Sequence, residues 1–227
     1  MNMLVTGGDT ELGRTVAAKF ADAGHAVTLA GMRGPELTLA AQEIATEVDV
    51  NAVACDTADP ASLAAARSLF PHHLDAIVTV PAPRWHGGDL RAHSLADHAA
   101  AWRSELDATV LAAVLTVATL GDHLRSGGSI VSVVPTNPRA GSAEAAVKAA
   151  LSNWAAGQAT TFGTRGITVN VVAAGDAVRP GYDGLTGDGI SGTAEIARLA
   201  LFLTTPSARH ITGQTLHVSQ GALADFG

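Results

Sequence analysis

The fold class this sequence predicts is α/β: a Rossmann-like, doubly wound, seven-stranded parallel sheet with helices on both faces. Three observations predict it. Short runs rich in β-branched residues alternate with Ala- and Leu-rich stretches of helical spacing. The first run passes directly into a glycine turn and then a helix. The longest glycine-rich stretch, GDAVRPGYDGLTGDGISG at 175–192, follows a strand, which places it at the carboxyl edge where such sheets bind ligands.

The strands are read from MLVT (3–6), AVTLA (26–30), AVAC (52–55), AIVTV (76–80), SIVSVV (129–134), ITVNVV (167–172) and TLHVS (215–219). Helices are read at 11–23, 35–48, 60–69, 95–124, 143–162 and 193–204. Pro35 and Pro60 stand where helices begin, and a first-turn proline sacrifices no helical hydrogen bond. No repeat, low-complexity tract or linker-like shift in composition interrupts the series. Residues 1–227 therefore read as one domain without a separate substrate domain, and 175–192 as its substrate-loop region.

Composition narrows the functions. A hydrophobic fraction of 47% supports a sizeable buried core, and no apolar run reaches the roughly 18 residues of a membrane span. The start, MNMLVTGG, lacks the basic and apolar regions of a secretory signal. One cysteine, Cys55, rules out an intrachain disulfide and suits a reducing cytoplasm, the expected location. Net charge is −7 with no cluster of Lys and Arg, so neither nucleic acid nor membrane is an expected partner. The nine histidines are scattered, and His72-His73 has no partner at ligand spacing, so no metal site is expected.

The first turn reads Thr6-Gly7-Gly8-Asp9-Thr10-Glu11-Leu12-Gly13. Together with CDTADP (55–60), GGSIVSVV (127–134), KAAL (148–151), ITVNVVAAG (167–175) and ITGQTLHVSQGA (211–222), it resembles the short-chain dehydrogenase/reductase family along essentially the whole chain. The resemblance implies a nicotinamide dinucleotide held by Thr6, Gly7, Gly13, Asp56 and Lys148. Arg33, at the end of AGMR where NAD-preferring relatives carry an acid, tilts that cofactor to NADP. Glu11 argues against any dinucleotide. It replaces the middle glycine of the family's TGxxxGxG, and a carboxylate ~4 Å from a pyrophosphate costs about 4 kcal/mol per charge pair. As a residue of the helix's first turn, Glu11 would instead favour the helix dipole, with Asp9 or Thr10 as cap.

At the positions where this family performs proton transfer, the chain departs from it. The four positions are occupied by Thr109, Pro135, Glu144 and Lys148, where relatives carry asparagine, serine, tyrosine and lysine. Ser132, Thr136 and His86 are the candidate substitutes, with Tyr182, the only tyrosine, further away in the glycine-rich stretch. Arg179 stands where relatives place a threonine on the nicotinamide amide, and the NNAG loop is replaced by Thr79-Val80-Pro81-Ala82. Glu144 starts from a carboxyl pKa near 4.3, and Lys148 one turn away should lower it further. Donating a proton at neutral pH would then cost about 3.7 kcal/mol. The two residues also form a favourable i,i+4 helix pair worth ~0.2–0.5 kcal/mol.

The reading that follows is a divergent member of the family without conventional oxidoreductase catalysis, serving as scaffold, regulator or oligomer partner. Two alternatives stand beside it: an NADP-dependent oxidoreductase with an unconventional proton donor, and non-redox binding, lyase or isomerase use of the pocket for an unidentified small molecule. The resemblance implies a homodimer or homotetramer through helices 95–124 and 143–162, or a mixed oligomer with an active relative.

Overall fold

The computed structural model describes residues 1–45, 47–82, 94–135, 141–174 and 192–218. Seven strands, β1 (Asn2–Val5), β2 (Ala26–Gly31), β3 (Val50–Ala54), β4 (Leu74–Thr79), β5 (Leu124–Val134), β6 (Thr168–Ala174) and β7 (Thr215–Val218), form one sheet. Its order is β3-β2-β1-β4-β5-β6-β7, and every adjacent pair is parallel. Between them run α1 (Glu11–Asp22), α2 (Gly34–Ile44), α3 (Pro60–Ala66), α4 (Leu95–Glu105), α5 (Ala112–Leu120), α6 (Ala143–Gly163) and α7 (Gly192–Leu203).

Strand side chains point alternately to the two faces, and both are apolar. Met3 and Val5 of β1 join a core with Phe20 and Leu37 beneath α1, α2 and α7. Leu4 joins a second core with Leu63, Leu120 and Leu151 beneath α3, α5 and α6. This two-sided burial is why the strands read as continuous hydrophobic runs. The chain reverses between β1 and β4, and the crevice above that switch point is where a doubly wound sheet receives a ligand.

Boundaries differ most from the sequence reading in three places. The single helix expected at 95–124 is two helices joined by a π-helical turn, Leu106–Leu111. The helix expected at 35–48 stops at Ile44, where Ala45 leaves helical geometry. β5 begins at Leu124, well before Ser129, because a register shift beside Leu74 and Ala76 absorbs the Arg125–Gly128 segment. Asn170 is fully buried in β6 and serves the backbone there. Its amide donates to the Ile211 carbonyl and accepts from the Gln214 N–H.

Candidate functional site

The switch-point crevice begins with the turn after β1. Gly7 has φ of 62°, and a Cβ there would lie 2.4 Å from the Val80 carbonyl oxygen. Thr10 caps α1: its hydroxyl accepts from the Gly13 N–H at 3.0 Å and donates to the Gly7 carbonyl at 2.7 Å. Gly13 presses on the turn so closely that a Cβ would stand 2.0 Å from the Gly7 carbonyl oxygen. Thr6 closes the floor, its hydroxyl accepting from the Val80 N–H at 3.0 Å. The result is a backbone-walled turn at a helix N-terminus, the geometry that receives a phosphate. Glu11 occupies the first position of α1 and is exposed, so its charge faces solvent at the mouth of the turn.

Asp9 does not cap the helix. Its side chain is only 4% exposed and crosses to the end of β2, where Oδ2 accepts from the Arg33 Nε at 3.1 Å and the Arg33 N–H at 3.3 Å. Arg33 also donates to the Asp9 carbonyl and pairs with Glu36 at 2.8 Å. Oδ1 of Asp9 is buried without a hydrogen-bond partner and rests against Gly31, where a Cβ would come within 2.5 Å of it. Sequence reasoning found no acid at the end of β2. The signal it lacked is spatial, because the carboxylate arrives from the first turn into room that Gly31 leaves open.

The crevice continues past Gly31, Cys55, Asp56 and Ala82 to Ala108 and Ala112. Asp56 is fixed at the end of β3: its N–H donates to Ser62 Oγ and its Oδ1 accepts from the Ala58 N–H, both at 2.9 Å. Burial pushes the Cys55 thiol up to about 11, so it remains protonated and unreactive at neutral pH.

The proton-transfer positions lie on the far side. Thr109 is buried inside the π-helical turn, a distortion common at functional sites. Pro135 ends β5 and offers no hydroxyl. Ser132 cannot substitute for it: the side chain is fully buried in the sheet, and its hydroxyl accepts from Thr79 Oγ1 at 2.9 Å. Thr136, His86, Arg179 and Tyr182 lie outside the described residues.

Glu144 and Lys148 are half-buried on α6 and do not form the expected pair. Among the described residues Lys148 has no ion pair or hydrogen bond, and desolvation alone lowers its pKa. Lys148 acts electrostatically on His217 of β7, and Glu144 on Glu105 at the end of α4. Burial first, and the charge of Glu144 second, raise the carboxyl of Glu105 above its ordinary value. Sequence reasoning missed Glu105 because its neighbour is on another helix.

A raised carboxyl pKa stabilises the fold only while the group is protonated. That contribution is present below the unfolded-state value and is lost as pH rises through the folded-state value. Glu105→Gln is therefore expected to raise the melting temperature at pH 7, with the gain vanishing near pH 4, the ordinary carboxylate range. Thermal melts at the two pH values check this, and a lower melting temperature at pH 7 would contradict it.

Among the described residues, no cluster of His, Cys, Asp and Glu could hold a metal ion, and no helix is long and apolar enough to cross a membrane.

Comparison with known proteins agrees with this geometry. The family model described as enoyl-(acyl carrier protein) reductase matches residues 9–222. A provisionally named oxidoreductase of Mycobacterium tuberculosis H37Rv is 66% identical over 227 residues, all of both chains. A short-chain dehydrogenase of Burkholderia cenocepacia, solved in complex with NADP, superposes with a TM-score of 0.77 at 30% identity, covering 97% of this chain and 96% of that one. A blue fluorescent protein from a metagenomic library, solved with NADPH, gives 0.76 at 26% identity over 98% of both chains.

Proposed function

From the premise that the chain belongs to the short-chain dehydrogenase/reductase family, we propose that it binds a nicotinamide dinucleotide without the family's conventional proton relay. The observation that carries this is the contrast between the two halves of the crevice. The phosphate turn is preserved in backbone detail, with Gly7 and Gly13 each in a place no side chain could share. The chemical half has a proline at position 135, a buried threonine at 109 and a carboxyl at 144. The bound dinucleotide would supply hydride chemistry. Gly7, Gly13 and Asp56 would hold its adenosine diphosphate half, and the Lys148 ammonium, which has no partner among the described residues, would face its other ribose.

The family relatives solved with NADP and NADPH support dinucleotide binding, so a pocket without any cofactor is the weaker form of the reading. The test is a titration of the purified protein with NADH and NADPH, followed by a panel of carbonyl compounds. Binding without oxidation supports the proposal, and absence of binding overturns it.

A second reading is favoured by one observation, the elevated carboxyl of Glu105 against Glu144. In this reading Glu105, which stays protonated above the ordinary carboxylate range, would serve as the substitute acid, and turnover would fall as pH rises through its titration.

The chain also self-associates in this proposal, through α4, α5 and α6. Trp102, Leu106 and Leu111 leave large apolar side chains 42%, 40% and 38% exposed along the α4–α5 face. Sedimentation velocity should give at least a dimer, with Leu106→Glu shifting it towards monomer. A monomeric parent at micromolar concentration would contradict this.

A further inference from the structure

The first turn and the end of β2 together hold a carboxylate that is fixed in place and only half used. Resting on the dinucleotide reading above, we infer that Asp9 is the specificity-determining residue of the adenosine ribose subsite. Its Oδ1 accepts a ribose hydroxyl, which makes the site select the unphosphorylated dinucleotide, NAD, over NADP.

Four observations converge. The Asp9 side chain is 4% exposed, so its charge is not dispersed into water. Of its two oxygens, Oδ2 accepts from both the backbone and the side chain of Arg33, whereas Oδ1 has no partner. A buried carboxylate oxygen without a donor is a costly arrangement, and a hydroxyl donated by a ligand would relieve it. Oδ1 lies in the space that Gly31 leaves by lacking a Cβ. Gly31, against which Oδ1 rests, itself lines the crevice with Gly7 and Asp56, so only this glycine separates the oxygen from that crevice.

Arg33 does not reverse this preference. A guanidinium that recognises a 2′-phosphate must be free to engage it, and here it is divided between Asp9 and Glu36. Two carboxylates against one guanidinium leave the subsite with a net charge of −1, the wrong sign for a phosphomonoester. The exposed Arg33 side chain can rotate away to admit a ribose while its backbone N–H still holds Oδ2. In this proposal, which departs from the NADP expectation drawn from Arg33 in the sequence, Arg33 positions Asp9.

The experiment is calorimetric titration of the parent, Asp9→Asn and Arg33→Gln with NADH, NADPH, ADP-ribose and 2′-phospho-ADP-ribose. The parent is expected to bind each unphosphorylated ligand at least about tenfold more tightly than its 2′-phosphate. Asp9→Asn keeps the shape and removes the charge. It should weaken NADH binding about tenfold, leave NADPH no weaker, and bring their ratio near one. Arg33→Gln should retain the preference for NADH. If Asp9→Asn fails to fold, Gly31→Ala gives the same test, because its Cβ would displace Oδ1 from 2.5 Å.

A parent that prefers NADPH, or a ratio unchanged in both Asp9→Asn and Gly31→Ala, overturns the inference and leaves the dinucleotide reading intact. A parent that binds none of the four ligands overturns both.

Discussion

Gly13→Ala is expected to lower the stability of the protein by about 3 kcal/mol and to weaken dinucleotide binding at least tenfold. The added methyl would stand 2.0 Å from the Gly7 carbonyl oxygen, 2.6 Å from its carbon and 3.0 Å from the Gly8 nitrogen. All three atoms are backbone, so no rotamer change can relieve the contact. The start of α1 must lift from the turn, and the Thr10 cap, which joins the Gly13 N–H to the Gly7 carbonyl, breaks with it. For a domain of this size, about 3 kcal/mol corresponds to a fall in melting temperature of roughly 6–12 °C. Gly157→Ala is the matched control, because a Cβ at that α6 position meets nothing within 4 Å. It should stabilise the helix by about 0.5–1 kcal/mol. Thermal melts of the pair, with NADH titrations beside them, make the comparison. A Gly13→Ala protein that melts with the parent would show that the turn is not the rigid cradle described.

The second large effect is at the opposite end of the crevice. A positioned general acid is worth about 10² to 10⁴ in rate, and among the described residues the family's serine and tyrosine positions hold no hydroxyl to fill that role. Pro135 has no proton to give, and Ser132 is locked to Thr79 inside the sheet. Glu144 is not charge-paired with Lys148 as the i,i+4 spacing suggests, and its charge acts on the carboxyl of Glu105 instead. Reduced dinucleotide should therefore bind and persist in the presence of carbonyl compounds. Lys148→Ala should weaken binding, because it removes an ammonium that has no partner among the described residues. It should leave the melting temperature nearly unchanged, since the helix loses no ion pair with it.

Much of this was legible in the sequence, and the portions that were not share one cause. Seven strands were readable because both faces of the sheet are buried, which leaves long β-branched runs such as SIVSVV and ITVNVV. The phosphate turn was readable because its glycines are close in sequence and each has a steric reason. The break of the 95–124 helix at Leu106–Leu111 was not readable, because neither proline nor glycine marks it. The pairings that define the site also escaped. Asp9 meets Gly31 and Arg33 across 22 and 24 positions of sequence, and Glu105 meets Glu144 between helices. The local spacing of Glu144 and Lys148 suggested a salt bridge, yet no such pair forms, and their charges act on Glu105 and His217 instead. Helix spacing shows which residues can meet, and packing decides which do.

Binding without turnover is read from the fluorescence of reduced nicotinamide, followed first as NADH is added to the protein and then as a carbonyl panel is added to the complex. Fluorescence should be enhanced on binding, with no subsequent decay beyond that of free NADH. A carbonyl-dependent decay that Lys148→Ala abolishes would contradict this, and would show that this crevice still transfers hydride.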